Sequence, residues 1–120
     1  MTDYSKMSDF EINKAVVIAL GAKQVDFYEN GDRCAIYYEL GGEALTVRRG
    51  QALLNEQFNP CNNPADAWPI IVEHSISVIM HDEYKGQPWF ACKGRINATH
   101  ANPLRAAMIV FLMMKEEENV

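Results

Sequence analysis

The residue types able to do chemistry are present in this chain, but their spacing assembles no familiar catalytic or metal-binding group. Three cysteines (Cys34, Cys61, Cys92) and three histidines (His74, His81, His100) are spread over the sequence without a Cys-x-x-Cys or a close His pair. A structural zinc site draws four Cys or His ligands together, commonly from closely spaced pairs. Here only convergence of Cys61, His74 and Cys92 in the fold could supply part of one, so no metal and no cofactor are expected. A Cys–His nucleophile needs a thiol of lowered pKa beside a base. Cys34 falls on the apolar face of an expected strand and reads as core. Cys61, in a loop, reads as the more accessible thiol. Asp82-Glu83 sit at a turn and read as solvated carboxylates. Gly41-Gly42 interrupts a strand and is not a phosphate-binding loop. No catalytic residue is assigned, and the expected function is not enzymatic.

Binding chemistry is better represented. Residues 58–73 read Phe-Asn-Pro-Cys-Asn-Asn-Pro-Ala-Asp-Ala-Trp-Pro-Ile-Ile-Val-Glu. Prolines stiffen such a stretch, and asparagines hold turns by bonding the local backbone. Trp68 has two readings. It packs the loop onto a sheet as core, or it projects as a preordered aromatic anchor that loses little entropy on binding. The candidate partner-binding residues are Asn59, Asn62, Asn63, Asp66 and Trp68, with Trp89 as a possible neighbour.

A second candidate surface lies between Tyr84 and Lys115, which holds five bases and no acid. Lys85, Lys93, Arg95 and Arg105, interleaved with Trp89 and Phe90, have the composition of a surface for single-stranded nucleic acid. Cations track phosphates there and rings stack on bases. The formal charge of −5 opposes that reading. Another protein is therefore the favoured partner, and nucleic acid the alternative. A small enzyme with a pocket beneath the loop, holding Cys61 or His74, is a third reading.

The elements that must position these residues follow from pattern. Ser8-Asp9-Phe10-Glu11 is a capping box, in which Ser8 accepts from the amide three residues on and Glu11 reaches back. Ile12, Ala15, Val16, Ala19 and Leu20 then keep the helical period, and Gly21 closes it, so residues 9–20 are expected to be helical. Asn30-Gly31 between strands 25–29 and 33–40 is a strong hairpin signal. The second strand puts Cys34, Ile36, Tyr38 and Leu40 on one face. Residues 44–47 suggest a further short strand, and 51–58 have some helical character. Asp66 is expected to cap a short helix over 67–74, with Pro69 in its first turn. Residues 76–80 and 89–93 form a second hairpin around Lys85-Gly86, and 94–101 is expected to be a loop.

Asn102-Pro103 opens a last helix, with asparagine as cap. Its residues 103–114 are apolar all round, as in a helix buried on both sides or used in self-association. Glu116, Glu117 and Glu118 oppose the macrodipole, so residues 115–120 are expected to fray as an acidic tail. The whole reads as one domain, 1–120. Its class is α+β, with a small antiparallel sheet built from two hairpins and packed by the N-terminal and C-terminal helices.

The hydrophobic fraction of 48% and charged fraction of 22% are those of a soluble globular protein. The longest apolar block is far short of a membrane span. Odd, widely spaced cysteines and an N-terminus without an apolar core point to the cytoplasm.

In order along the chain, Ser8-Asp9-Phe10-Glu11-Ile12-Asn13, Phe58-x-Pro60, Trp68-Pro69-Ile70-Ile71-x-Glu73, Trp89-x-Ala91 and Asn102-Pro103-Leu104-x-Ala106-Ala107-Met108 resemble the NinX-like proteins of lambdoid phages and prophages. The chain departs from that pattern at Cys61, where serine or threonine usually follows Phe-x-Pro. It departs again at Ala67-Trp68 and at Ile109. The resemblance implies a small cytoplasmic protein encoded among phage accessory genes, with a host or phage protein as its partner. It carries over no catalytic residue.

Overall fold

The computed structural model describes residues 2–50, 52–81 and 86–118. The chain divides into two compact units, Met1–Asn59 and Pro60–Val120. Each contains a helix followed by three antiparallel strands, and the second adds a long closing helix. The α+β class stands. The strands, however, form two separate three-stranded sheets, ordered β1-β2-β3 and β4-β5-β6, where the sequence pattern suggests one.

In the first unit, α1 (Asp9–Ala19) starts as the capping box dictates. Ser8 Oγ accepts from the Glu11 amide at 3.1 Å, and Glu11 Oε1 accepts from the Ser8 amide at 3.3 Å. The strands are β1 (Lys23–Asn30), β2 (Arg33–Leu40) and β3 (Glu43–Arg49). Both connections are two-residue turns. The first centres on Gly31-Asp32, one residue later than Asn30-Gly31. Gly31, at φ 61°, takes the first central position that a type II′ turn reserves for glycine. The second is Gly41-Gly42, with both residues at positive φ (57° and 86°) as a type I′ turn demands. What looks in sequence like a break is therefore the hinge of a second hairpin.

The core of this unit gathers Val17, Cys34, Ile36, Tyr38 and Val47, with Phe10, Ala22, Leu45 and Phe58 packed against it. Cys34 is buried, as expected. Residues 51–58 give only the 3-10 turn Leu54–Glu56. The Phe58 amide then donates to the Thr46 carbonyl at 2.7 Å, tying the segment to β3.

In the second unit, α2 (Pro64–Glu73) leads to β4 (Ser77–Met80), β5 (Trp89–Lys93), β6 (Ile96–His100) and α3 (Pro103–Glu118). Residues 94–101 are not the expected loop. Gly94, at φ 61°, and Arg95 make a tight turn, and Ile96–His100 pairs with Lys93–Trp89. Asn97 and Thr99 disguise the strand as polar loop, whereas they are one side of a period-two alternation. The turn expected around Lys85-Gly86, with Asp82-Glu83, lies largely outside the described residues, and so do the last two residues of the acidic tail.

Helix α3 packs on α2 and all three strands of this unit. Ala106, Ala107, Met108, Val110, Phe111 and Leu112 are all buried. Most apolar residues of 103–114 are thus packed within this unit, while Leu104 and Met113 are half-buried. The helix persists to Glu118, and Lys115 pairs with Glu118 at 3.4 Å.

Candidate functional site

The stretch from Phe58 to Glu73 resolves into a buried approach and an exposed helix. Asn59 belongs to the first unit and is 9% exposed. Its Oδ1 accepts from the Nδ2 of Asn13, itself 2% exposed, at 2.7 Å. Burial removes Asn59 from any outer rim. In the second unit, Pro60 and Cys61 are fully buried, so Cys61 is not the accessible thiol of the sequence reading. Its carbonyl accepts from Asn102 Nδ2 at 2.6 Å. A buried peptide group must find a partner, and here the cap residue of α3 provides it. Asn62 is exposed.

The cap of α2 is Asn63, not Asp66. Asn63 Oδ1 accepts from the Ala65 amide at 3.0 Å, and Pro64 takes the first helical position, where its missing N–H costs nothing. The helix therefore starts three residues earlier than the pattern around Asp66 suggests. Asp66 becomes a first-turn carboxylate, favourable near the positive end of the dipole. Pro69 then sits inside the helix. It can donate no bond to the Ala65 carbonyl, one turn back.

The burial pattern along α2 shows where Trp68 points. Ala67, Ile70 and Ile71 are buried, while Trp68 is 62% exposed and Val72, one turn on, is 58% exposed. Ala65 and Pro69 are exposed alongside. Residues 65, 68, 69 and 72 follow the helical period, so α2 carries a continuous apolar stripe on its outer face. The reading of Trp68 as core is overturned. Trp89 stands apart on the central strand β5, half-buried, with Met80 and His100 as its cross-strand partners.

Of the described basic residues of the 84–115 stretch, Lys93 and Arg95 are exposed and Arg105 is not. Lys85 lies outside the described residues. Lys93 is exposed at the end of β5, and Arg95, in the following turn, pairs with Glu117 at 3.6 Å. Arg105 is only 5% exposed. It lies in the first turn of α3, on a helix buried nearly all round, so it is a structural residue and no phosphate contact.

The histidines are engaged in packing. The His74 ring lies 4.9 Å from that of Phe111, and the His81 ring meets Phe90 edge-on at 5.5 Å. Among the described residues, no group of three or more His, Cys, Asp or Glu side chains could hold a metal ion. Among the described residues, no helix is long and apolar enough to cross a membrane.

The fold and site define a small α+β protein of two sheet-bearing units, with an aromatic-bearing helix face open to solvent. The family described as "Bacteriophage P22, NinX" matches residues 3–115, so the chain belongs to that family and, with it, to the phage accessory proteins. Neither the comparison with curated proteins nor that with solved structures returned a match.

Proposed function

We propose that this phage accessory protein is a non-enzymatic module of the host cytoplasm that binds another protein through the outer face of α2. The observation that carries this reading is Trp68, mostly exposed on a regular, capped helix with Val72 beside it. Tryptophan is the residue type most enriched among binding hot spots, and a ring on a helix is already ordered before contact. An indole 62% exposed contributes little to folding that would account for its position.

Asp66 in the first turn and Glu73 in the last place carboxylates at both ends of the stripe. The complementary surface is an apolar cleft with a basic rim, which a helix enters through anchors one turn apart. Capture from host lysate on immobilised protein, compared with Trp68→Ala and Val72→Glu, tests the reading. A specific partner retained by the native chain and lost by both variants, with unchanged far-UV circular dichroism, supports it. Equal retention by folded variants overturns it.

A further inference from the structure

The outer face of the β1–β2–β3 sheet holds a second site. Register sets Tyr28, Ala35 and Arg48 side by side across the three strands, and Arg33 precedes Ala35 by two residues on β2. Alternation therefore brings all four side chains to one face, opposite the core face of Cys34, Ile36 and Tyr38. Ala35 reaches no further than a methyl group between two long neighbours, and it is 1% exposed. The result is a hollow of about 150 Å³ lined by Tyr28, Arg33, Cys34, Ala35, Arg48 and Arg49.

The arginines around it are not equivalent. Arg49 is committed elsewhere, with Nε donating to the Asp32 carbonyl at 3.2 Å, an ion pair to Glu29 at 3.8 Å, and its guanidinium 5.4 Å from the centre of the Phe10 ring. Arg48 spends only Nε, on the Glu56 carbonyl at 3.2 Å. That bond fixes the plane of the guanidinium and leaves its terminal nitrogens without a hydrogen bond among the described residues. The Arg33 side chain makes no hydrogen bond or ion pair among the described residues. Gly50 gives it room. A Cβ there would come within 3.2 Å of Arg33 Cγ, and at φ 103° a side chain would be strained besides. Of the nearby acids, Glu29 is paired to Arg49. Asp26 lies one row away, beside Tyr37, and accepts from the Phe27 amide.

We propose that this hollow binds a nucleoside monophosphate, its phosphate held between the Arg33 and Arg48 guanidinium groups and its base stacked on the Tyr28 ring. Guanidinium forks match phosphate oxygens two at a time, which a lysine cannot do. Tyr28 is 51% exposed, so a ring face is open to a planar base. The hollow has space for a phosphate and the edge of a sugar, not for a run of nucleotides. The net charge of −5 also works against a polyanion at long range, while leaving contact-range pairing intact. This site rests on no feature of α2 and stands or falls separately from the protein-binding reading.

Isothermal titration of the full chain at low salt, with adenosine monophosphate, adenosine, inorganic phosphate and an oligodeoxyadenylate in parallel, tests the proposal. The monophosphate should bind at one site and more tightly than either adenosine or phosphate alone. Arg33→Ala and Arg48→Lys should each weaken it by about tenfold or more, the loss of one charge-assisted contact. Tyr28→Ala should reduce binding of the monophosphate but not of phosphate. Absence of saturable binding overturns the proposal, as does binding unchanged in folded Arg33→Ala. An oligonucleotide that binds more tightly per phosphate than the monophosphate, with the same dependence on Arg33, overturns it in favour of a strand-binding surface.

Discussion

Asn102 holds the main chain of Cys61 from across the second unit, its Nδ2 donating to that carbonyl at 2.6 Å while its Oδ1 accepts from the Leu104 and Arg105 amides at 2.9 and 3.3 Å. One side chain thereby caps α3 and fixes the segment that leads into α2. The two halves of the amide do different jobs, and this makes them separable by substitution.

Asn102→Ala removes both, and is expected to cost about 2 kcal/mol: roughly 1 for the cap and about 1 for the lost hydrogen bond to a buried carbonyl. Asn102→Asp keeps the cap acceptor but replaces the donor with a carboxylate facing a carbonyl, so it should retain helix content while still losing stability. Urea denaturation followed by circular dichroism checks both. A loss below about 0.5 kcal/mol in Asn102→Ala would show that the contact with Cys61 is not a stabilising one.

The buried pair in the first unit gives a second test. Asn13 Nδ2 and Asn59 Oδ1 are 2.7 Å apart, both largely out of water. Removing one partner leaves the other with an unmet hydrogen bond, at a cost of about 1–3 kcal/mol. Asn13→Ala should therefore destabilise by that order. Asn13→Ala with Asn59→Ala should cost less than the sum of the two single changes, since the bond between them can be lost only once. Strict additivity in chemical denaturation would show that the pair is not coupled.

Much of this architecture was legible from local chemistry. Ser8 and Glu11 announce α1, and Asn102-Pro103 announces α3, because capping depends on residue types at fixed offsets. What was not legible depends on which chain segment a residue meets. Asn63 and Asp66 are both good caps in isolation, and only the position of Pro64 at the first helical residue separates them. Trp68 is ambiguous in sequence because nothing local says which face of the short helix meets the rest of the unit. Arg105 reads as a free cation in a basic stretch, yet burial of α3 takes it inside. The arginines of the sheet hollow went unnoticed because Arg33 and Arg48 are fifteen positions apart in sequence. Only strand register makes them neighbours, and the strand carrying Ala35 seemed to need just one buried face.

Tyr38 offers a pH-dependent prediction. Its hydroxyl is buried in the first core with no hydrogen-bond partner among the described residues. Exclusion from water pushes its phenol above the ordinary range, and the electrostatic influence of the nearby Cys34 adds to the shift. Because the folded form holds this proton more tightly than the unfolded chain, the associated stability is present below the ordinary tyrosine pKa of about 10. It is lost as pH rises beyond that toward the raised value. Tyr38→Phe should be neutral or stabilising at pH 7, since it deletes an unmet polar group without changing ring volume much. It should also flatten the loss of stability above pH 10. Stability compared between the native chain and the variant from pH 7 to 11 checks this. A steeper alkaline loss in Tyr38→Phe would contradict it.

The exposure of Trp68 can be tested without any partner. The chain has two tryptophans, Trp68 on the outer face of α2 and Trp89 half-buried on β5. An indole 62% exposed should emit at long wavelength and be quenched efficiently by acrylamide and iodide. Trp68→Phe should therefore shift the remaining emission to shorter wavelength and lower the quenching constant, whereas Trp89→Phe should do the reverse. Because Trp68 packs little against the fold, its replacement by Ala should change unfolding free energy by no more than about 0.5 kcal/mol. If Trp68→Ala instead costs several kcal/mol and the two quenching constants are alike, the ring is part of the core. The stripe of Trp68 and Val72 would then no longer be open to a partner, and the protein-binding reading would lose its anchor.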